Sequence, residues 1–251
     1  QDNLPETAKG ISGLVWTKNR DSTDSHQLYD SSRGKQKVIL PDATTAESTV
    51  TDGLQKFLKG GQQIEDSDAI NTAGESFVTW NWVANGGSTS SNTDGSITST
   101  VQANTTAGFS IVQYNGTGSN ATVGHGLSAV PDWVMLKCIT ENSATGSGVD
   151  WRVWHKSIVS SDANTYLALN TNAAATATGD SWGDTAPTSS VFTVGADVHT
   201  NASVSGGTAQ YVAYCFNEVE GFSKFGKYVG NGVANGPFIY TGFKPAWVMI
   251  K

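Results

Sequence analysis

Pro131-Asp132-Trp133-Val134-Met135-Leu136-Lys137 returns as Pro245-Ala246-Trp247-Val248-Met249-Ile250-Lys251, with position 245 answering to 131 and position 251 to 137. Upstream, Gly108-Phe109-Ser110 and Tyr114-Asn115-Gly116-Thr117-Gly118 return as Gly221-Phe222-Ser223 and Tyr228-Val229-Gly230-Asn231-Gly232, in the same frame to within one residue. A constant displacement marks a copied structural unit, and it must be recognised before a fold is assigned. A third, degenerate copy lies at the front. Leu14-Val15-Trp16-Thr17-Lys18 reads like Trp133-Val134-Met135-Leu136-Lys137, and Phe77-Val78-Thr79-Trp80-Asn81-Trp82 reads like Tyr211-Val212-Ala213-Tyr214-Cys215-Phe216.

The frame of the repeat divides the chain. Residues 1–83 form a first β-sandwich unit that lacks the opening found at residues 108–132. Residues 84–107 form a Gly/Ser/Thr-rich linker, with Ile97 to Val101 as a bridging strand. Residues 108–220 make a complete second unit. Residues 221–251 either start a third unit or complete the first. Because Lys251 falls inside a strand-like run, the reading expects a piece of a longer tandem array.

Composition narrows the class. The 251 residues carry only 15% charged side chains, with 28 Gly, 8 Trp and a net charge of −7. Few charges, many small polar residues and many aromatics suit an extracellular β-protein with short turns. The acidic balance argues against nucleic acid, since phosphate binding needs clustered Lys and Arg. No apolar run approaches the ~20 residues that span a membrane. The two cysteines, Cys138 and Cys215, fall on core-strand patterns and read as small buried hydrophobes, although the sequence leaves their pairing open.

Strand patterns dominate. Trp151-Arg152-Val153-Trp154-His155 alternates with the period of a half-buried strand and answers to Gln27-Leu28-Tyr29-Asp30, Val153 taking the place of Leu28 and Trp154 that of Tyr29. Ser76 to Val83 and Gln210 to Phe216 are the strongest strands, being rich in aromatic and β-branched residues. Further strands fall at Phe109 to Tyr114, Ala121 to Gly124, Tyr166 to Leu169, Val191 to Val194 and Phe238 to Tyr240. Residues 43–59 look mildly helical at Ala46 and at Leu54 to Leu58. Many strands spaced by Gly-rich turns predict an all-β fold of tandem antiparallel β-sandwich modules of jelly-roll kind.

Several of these runs carry a family resemblance. Gly95-Ser96-Ile97-Thr98-Ser99-Thr100-Val101-Gln102-Ala103-Asn104, Val123-Gly124-His125-Gly126-Leu127, Val15-Trp16-Thr17-Lys18-Asn19-Arg20-Asp21 and Thr241-Gly242-Phe243-Lys244-Pro245 with the closing repeat make the chain resemble virion-associated proteins common in marine tailed phages. The repeat units of that family resemble concanavalin A-like jelly rolls. The resemblance implies a virion or extracellular location and a structural, fibre-like role, plausibly in contact with the host surface. It implies other copies of the chain, trimeric if a fibre, and other virion proteins as partners. It supplies no catalytic residue.

The residues themselves offer little catalytic chemistry. His26, His125, His155 and His199 are not spaced as a metal pair, and His125 between two glycines reads as a turn residue. Glu65-Asp66-Ser67-Asp68 lacks the Gly and distal Glu of a calcium loop. No Gly-x-Ser-x-Gly elbow is present, and Gly146-Ser147-Gly148 has no base beside it. The expectation is therefore no enzyme, no cofactor and no metal. Aromatics remain as ligand candidates, because sugar rings stack on flat Trp faces while loop carboxylates bond their hydroxyls. Trp182, flanked by Asp180 and Asp184 in Gly179-Asp180-Ser181-Trp182-Gly183-Asp184, is the best candidate platform, with Trp151 as its neighbour. A surface-glycan-binding module is thus the rival reading and a glycan depolymerase a third. Trp16, Trp133 and Trp247, which recur at or beside one strand position, read instead as sheet residues.

Overall fold

A computed structural model describes residues 13–58, 61–84, 88–140, 148–159, 162–204 and 207–251. The chain is nearly all antiparallel β. In the front part run β1 (Gly13–Asn19), β2 (Gln27–Asp30), β3 (Lys37–Val38), β4 (Ser48–Thr49), β5 (Leu54–Leu58), β6 (Gly61–Ile64), the single-turn α1 (Asp68–Asn71) and β7 (Phe77–Val83). There follow β8 (Ser90–Asn92), β9 (Ser99–Asn104), β10 (Phe109–Asn115), β11 (Ala121–Gly124), β12 (Trp133–Cys138), β13 (Arg152–His155), β14 (Leu167–Ala168), β15 (Val191–Val194), β16 (Ser203–Val204), β17 (Gly207–Thr208) and β18 (Gln210–Phe216).

The centre is a seven-stranded sheet in the order β14-β13-β12-β18-β10-β9-β8. Its inner strands are apolar at almost every position, the pattern of a strand buried on both faces. Along β10, β12 and β18 alternate side chains enter two different cores. Val112, Tyr114, Val134, Leu136, Ala213 and Cys215 point into one, which the β11–β15 pair closes with Val123, Phe192 and Val194, and which Trp182 helps to fill. Phe109, Ile111, Trp133, Met135, Tyr214 and Phe216 point into the other. Cys138 and Cys215 are both buried free thiols. Cys215 pairs across the strands with Val134, while Cys138 pairs with Tyr211.

The second face is covered by a three-stranded sheet, β2-β1-β7, from the front of the chain. The repeat is visible in its pairing. Leu14, Val15 and Trp16 of β1 stand opposite Trp82, Asn81 and Trp80 of β7. Their sequence counterparts in β12, Trp133, Val134 and Met135, stand opposite Phe216, Cys215 and Tyr214 of β18. On the other side Val15↔Tyr29 and Trp16↔Leu28 answer to Val134↔Trp154 and Met135↔Val153. Gly13 is required at the start of β1, since a Cβ there would lie 1.7 Å from the Trp82 carbonyl oxygen.

Three expectations need correction. Leu54 to Leu58 is a strand paired with β6, not a helical turn, and Ser48 pairs back to Val38. Val38, Leu54 and Phe57 of these strands pack under the front sheet with Val15 and Tyr29. Residues 84–107 are only partly a linker, because β8 and β9 extend the central sheet beyond β10. Tandem modules would each close a core of their own. Instead Leu14, Trp16, Leu28, Ile39 and Ala84 share one apolar cluster with Phe109, Trp133, Met135, Trp151 and Phe216. The physical reason is that apolar β10, β12 and β18 leave a second greasy face, which the small front sheet covers.

Residues 221–251 form no strand, including Phe238 to Tyr240, where one was expected. They leave β18 through a turn in which Phe222 and Ser223 N–H donate to the Val219 carbonyl, 3.0 and 2.9 Å. Phe225 then rests on Trp133 and edge-on to His155. Near the end Trp247 packs against Trp16, Trp82 and Trp133. Between these two anchors the apolar side chains face outward.

Candidate functional site

The structure separates the residues expected to bind a glycan. Trp182 is 1% exposed and Trp151 0%, so neither offers a face to a sugar. This corrects the platform expectation for both. The Asp- and Gly-rich loop looks like surface, but Asn164 Oδ1 accepts from the Trp182 and Asp184 N–H groups, 2.9 and 3.1 Å, and turns the indole inward. Trp182 fills the core above the central sheet. Trp151 lies on the opposite core and its Nε1 donates to the Leu40 carbonyl at 2.9 Å, binding the second part of the chain to the first. Asp184 is exposed at the turn, with φ +48°, a left-handed conformation that Asp tolerates. Asp180 alone of the four borders a depression.

That open depression, about 500 Å³, is lined by Arg152, Tyr166, Thr178, Gly179, Asp180, Ala196, Asp197 and Val198. Arg152 comes from β13, Tyr166 from the residue before β14, and the others from the loops on either side of β15. The Arg152 guanidinium lies 4.0 Å above the Tyr166 ring centre. Its Nε donates to Ser181 Oγ at 3.3 Å and sits 3.5 Å from Asp197 Oδ2. Ser181 Oγ donates onward to Asp197 Oδ2 at 2.5 Å. His199 Nδ1 lies 2.6 Å from Asp197 Oδ1 and 2.8 Å from an Arg152 terminal nitrogen, and can serve the first as a donor or the second as an acceptor. Burial works to raise the Asp197 pKa, but hydrogen bonds from His199 and Ser181 outweigh it and hold the carboxyl well below the usual carboxylate range.

Ser181, His199 and Asp197 are the residue types of a hydrolase triad in the wrong order. In a triad the His takes the Ser proton while the Asp holds the His. Here Ser181 and His199 both bond the carboxylate, and Ser181 is 0% exposed. The cluster therefore fastens β13 to the loops beside it. Sequence reasoning missed Arg152 and Asp197 because 45 residues separate them and neither lies in a motif.

His26 Nδ1 accepts from the Trp16 indole N–H at 2.9 Å, while His155 and His125 bond the backbone, His155 Nδ1 accepting from the Ser157 N–H at 3.0 Å. His125 Nδ1 accepts from the Leu127 N–H at 3.2 Å while Nε2 faces the Thr188 carbonyl at 3.2 Å, and burial lowers its pKa. Among the described residues no group of three or more His, Cys, Asp or Glu is placed to hold a metal ion. No helix among them is long and apolar enough to cross a membrane.

The repeat motif has its own site. Its three tryptophans meet: Trp247 lies 6.2 Å from Trp16 and 6.2 Å from Trp133, ring centre to ring centre. Trp82 joins them, 5.3 Å from Trp247 and perpendicular to it, and 6.3 Å from Phe216. Its three lysines play one part as well. Lys18 Nζ donates to the Asn19 and Ser22 carbonyls, 2.7 and 3.1 Å. Lys137 Nζ donates to the carbonyls of Thr44, at 2.7 Å, and Val149. Lys251 Nζ donates to the Thr171 carbonyl. Each copy of the repeated motif thus ends on a lysine that bonds the carbonyls of a nearby loop.

Antiparallel sheets, a charged cluster beside an open depression and a repeated Trp–Lys motif characterise a nearly all-β protein. A family model described as "Domain of unknown function (DUF7483)" matches residues 6–251, and the chain belongs to that family. No curated protein and no solved structure matches it.

Proposed function

We propose that the protein is a structural and adhesion component of a phage virion, in a tail fibre or another appendage that meets the host surface. The supporting observation is the outer face of residues 221–251. Phe238 is 89% exposed, Val229 85% and Tyr240 75%, on a stretch that also exposes Val233, Val248 and Ile250. So many exposed apolar side chains within one stretch suit a segment that a partner covers. The partners in this reading are other copies of the chain, other virion proteins and a host surface glycan. The recurring strand registers favour copied jelly-roll modules of concanavalin A-like kind. The reading involves no catalysis, cofactor, nucleic acid or membrane insertion. The glycan-binding alternative loses its two nominated tryptophans to the core. Gold-labelled antibody against the chain, applied to purified particles from its source, tests the proposal. Label on a tail appendage supports it, and particles that carry none of the chain overturn it.

A further inference from the structure

The two sheets differ in one respect. β18 has a strand on each side, β12 and β10. Its counterpart β7 has β1 on one side and, among the described residues, ends the sheet on the other. The front sheet therefore holds counterparts of β13, β12 and β18, and lacks the counterpart of β10. An open sheet edge presents unpaired N–H and C=O groups and is a template for another strand.

The chain contains the missing strand elsewhere. Gly221-Phe222-Ser223 and Tyr228-Val229-Gly230 repeat Gly108-Phe109-Ser110 and Tyr114-Asn115-Gly116, which open and close β10. One additional residue near Lys224 fits a bulge. In its own chain this segment is unpaired, with Phe222 59% exposed and Val229 85%. It is also held on the wrong side. Phe225 rests on Trp133 of β12 and His155 of β13. The open edge of β7 lies toward β9, where Asn104 Nδ2 donates to the Val83 carbonyl at 3.2 Å.

We infer that residues 222–229 of a second copy of this chain add to the open edge of β7. The register follows from the complete sheet. Phe109 stands opposite Phe216, with rings 4.8 Å apart, and Ser110 opposite Cys215. Phe222 of the second copy accordingly stands opposite Trp82, and Ser223 opposite Asn81. Phe225 takes the place of Ile111 and covers Trp80, which is half-buried without it. Donor and acceptor are different surfaces, so the contact is head-to-tail and repeats into a ring or an open filament. This inference rests on the structural reading of the protein and names the partner of its exposed tail.

Cysteine trapping tests it. Chains carrying Asn81→Cys are mixed with chains carrying Ser223→Cys, with Cys138 and Cys215 buried and free as in the native protein. Mild oxidation should give a disulfide-linked heterodimer in the mixture, identified by the cross-linked peptide. A mixture of Asn81→Cys with Gly236→Cys, which lies off the register, should give none. Thermal melts of each variant show that it is folded, and Lys227→Cys paired with Val78→Cys, the counterparts of Gln113 and Val212, repeats the test without the Ser223 turn. A disulfide formed within one chain of the Asn81→Cys/Ser223→Cys double variant overturns the second-copy assignment. Absence of both cross-links from folded chains overturns the docking itself. A chain that labels the virion appendage yet never cross-links keeps the proposed function and loses only this contact.

Discussion

The Tyr214 hydroxyl donates to Asp30 Oδ2 at 2.6 Å, joining the centre of β18 to the end of β2. Arg33 completes the group. Its Nε lies 2.5 Å from Asp30 Oδ2 and its NH1 3.1 Å from Glu47, with the Arg33 and Asp30 side chains 1% and 0% exposed. A buried ion pair adds little net stability over apolar packing, but removing one partner strands a charge. Arg33→Met should therefore cost about 3–5 kcal/mol. Tyr214→Phe, which leaves the pair intact, should cost about 1.5–3 kcal/mol. Urea denaturation of both variants checks the order. A smaller loss for Arg33→Met would mean that the front sheet is held by packing alone.

Lys137 gives the stability an unusual pH dependence. Burial lowers its pKa from 10.5 to about 8. Between those values the unfolded chain binds a proton that the folded chain does not, so stability rises with pH. The whole shift is worth about 3 kcal/mol. The tyrosines act in the other direction. Burial raises Tyr29 to about 12 and Tyr114 and Tyr214 well above 10.0, so above that pH the unfolded chain ionises first and stability falls. Burial also raises the Cys215 thiol above its usual 9.0, so urea midpoints should climb from pH 8 to about 9, level off as the unfolded thiol ionises, and drop above about 10. Lys137→Met should abolish the climb and keep the drop.

Trp182→Ala should behave as a core substitution, costing about 3–5 kcal/mol. Glycan binding, if the chain shows any, should fall only as far as the folded fraction falls. A selective loss of binding at full stability would return Trp182 to the surface role that its sequence suggested.

Trp247 anchors the last part of the chain to Trp16, Trp82 and Trp133. Aromatic pairs are worth about 0.5–1.5 kcal/mol each beyond their area. Trp247→Ala should release residues 226–251 while β18 and the two cores stay folded. Limited proteolysis should then cut between Phe225 and Lys251 faster than in the native chain. Unchanged cutting would show that Trp247 holds nothing in place.

The repeat was legible because it lies in contiguous residues, and the matched registers of β1–β7 and β12–β18 follow from it. The strands at Gln210 to Phe216 and Phe109 to Tyr114 were legible for the same local reason. Their use of both faces was written there too: an unbroken run such as Tyr211-Val212-Ala213-Tyr214-Cys215-Phe216 marks a strand with no solvent side. What covers the second face depends on partners far apart in sequence, as Tyr214 and Asp30 are. The inward turn of Trp182 depends on Asn164, and the Arg152–Asp197–His199 cluster on loops that meet only after folding. Local pattern carries no record of such contacts. Leu54 to Leu58 misled because its apolar spacing suits a helical turn as well as a hairpin.

The central claim is that residues 221–251 join this chain to another copy through the edge that β7 leaves open. Sedimentation of the intact chain across a wide concentration range, beside Phe222→Arg, tests it most directly. Phe222 is exposed, so the substitution spares the fold. The account predicts growing head-to-tail species for the native chain and a monomer for Phe222→Arg. A native chain that stays monomeric throughout, or a variant that associates equally well, would contradict it.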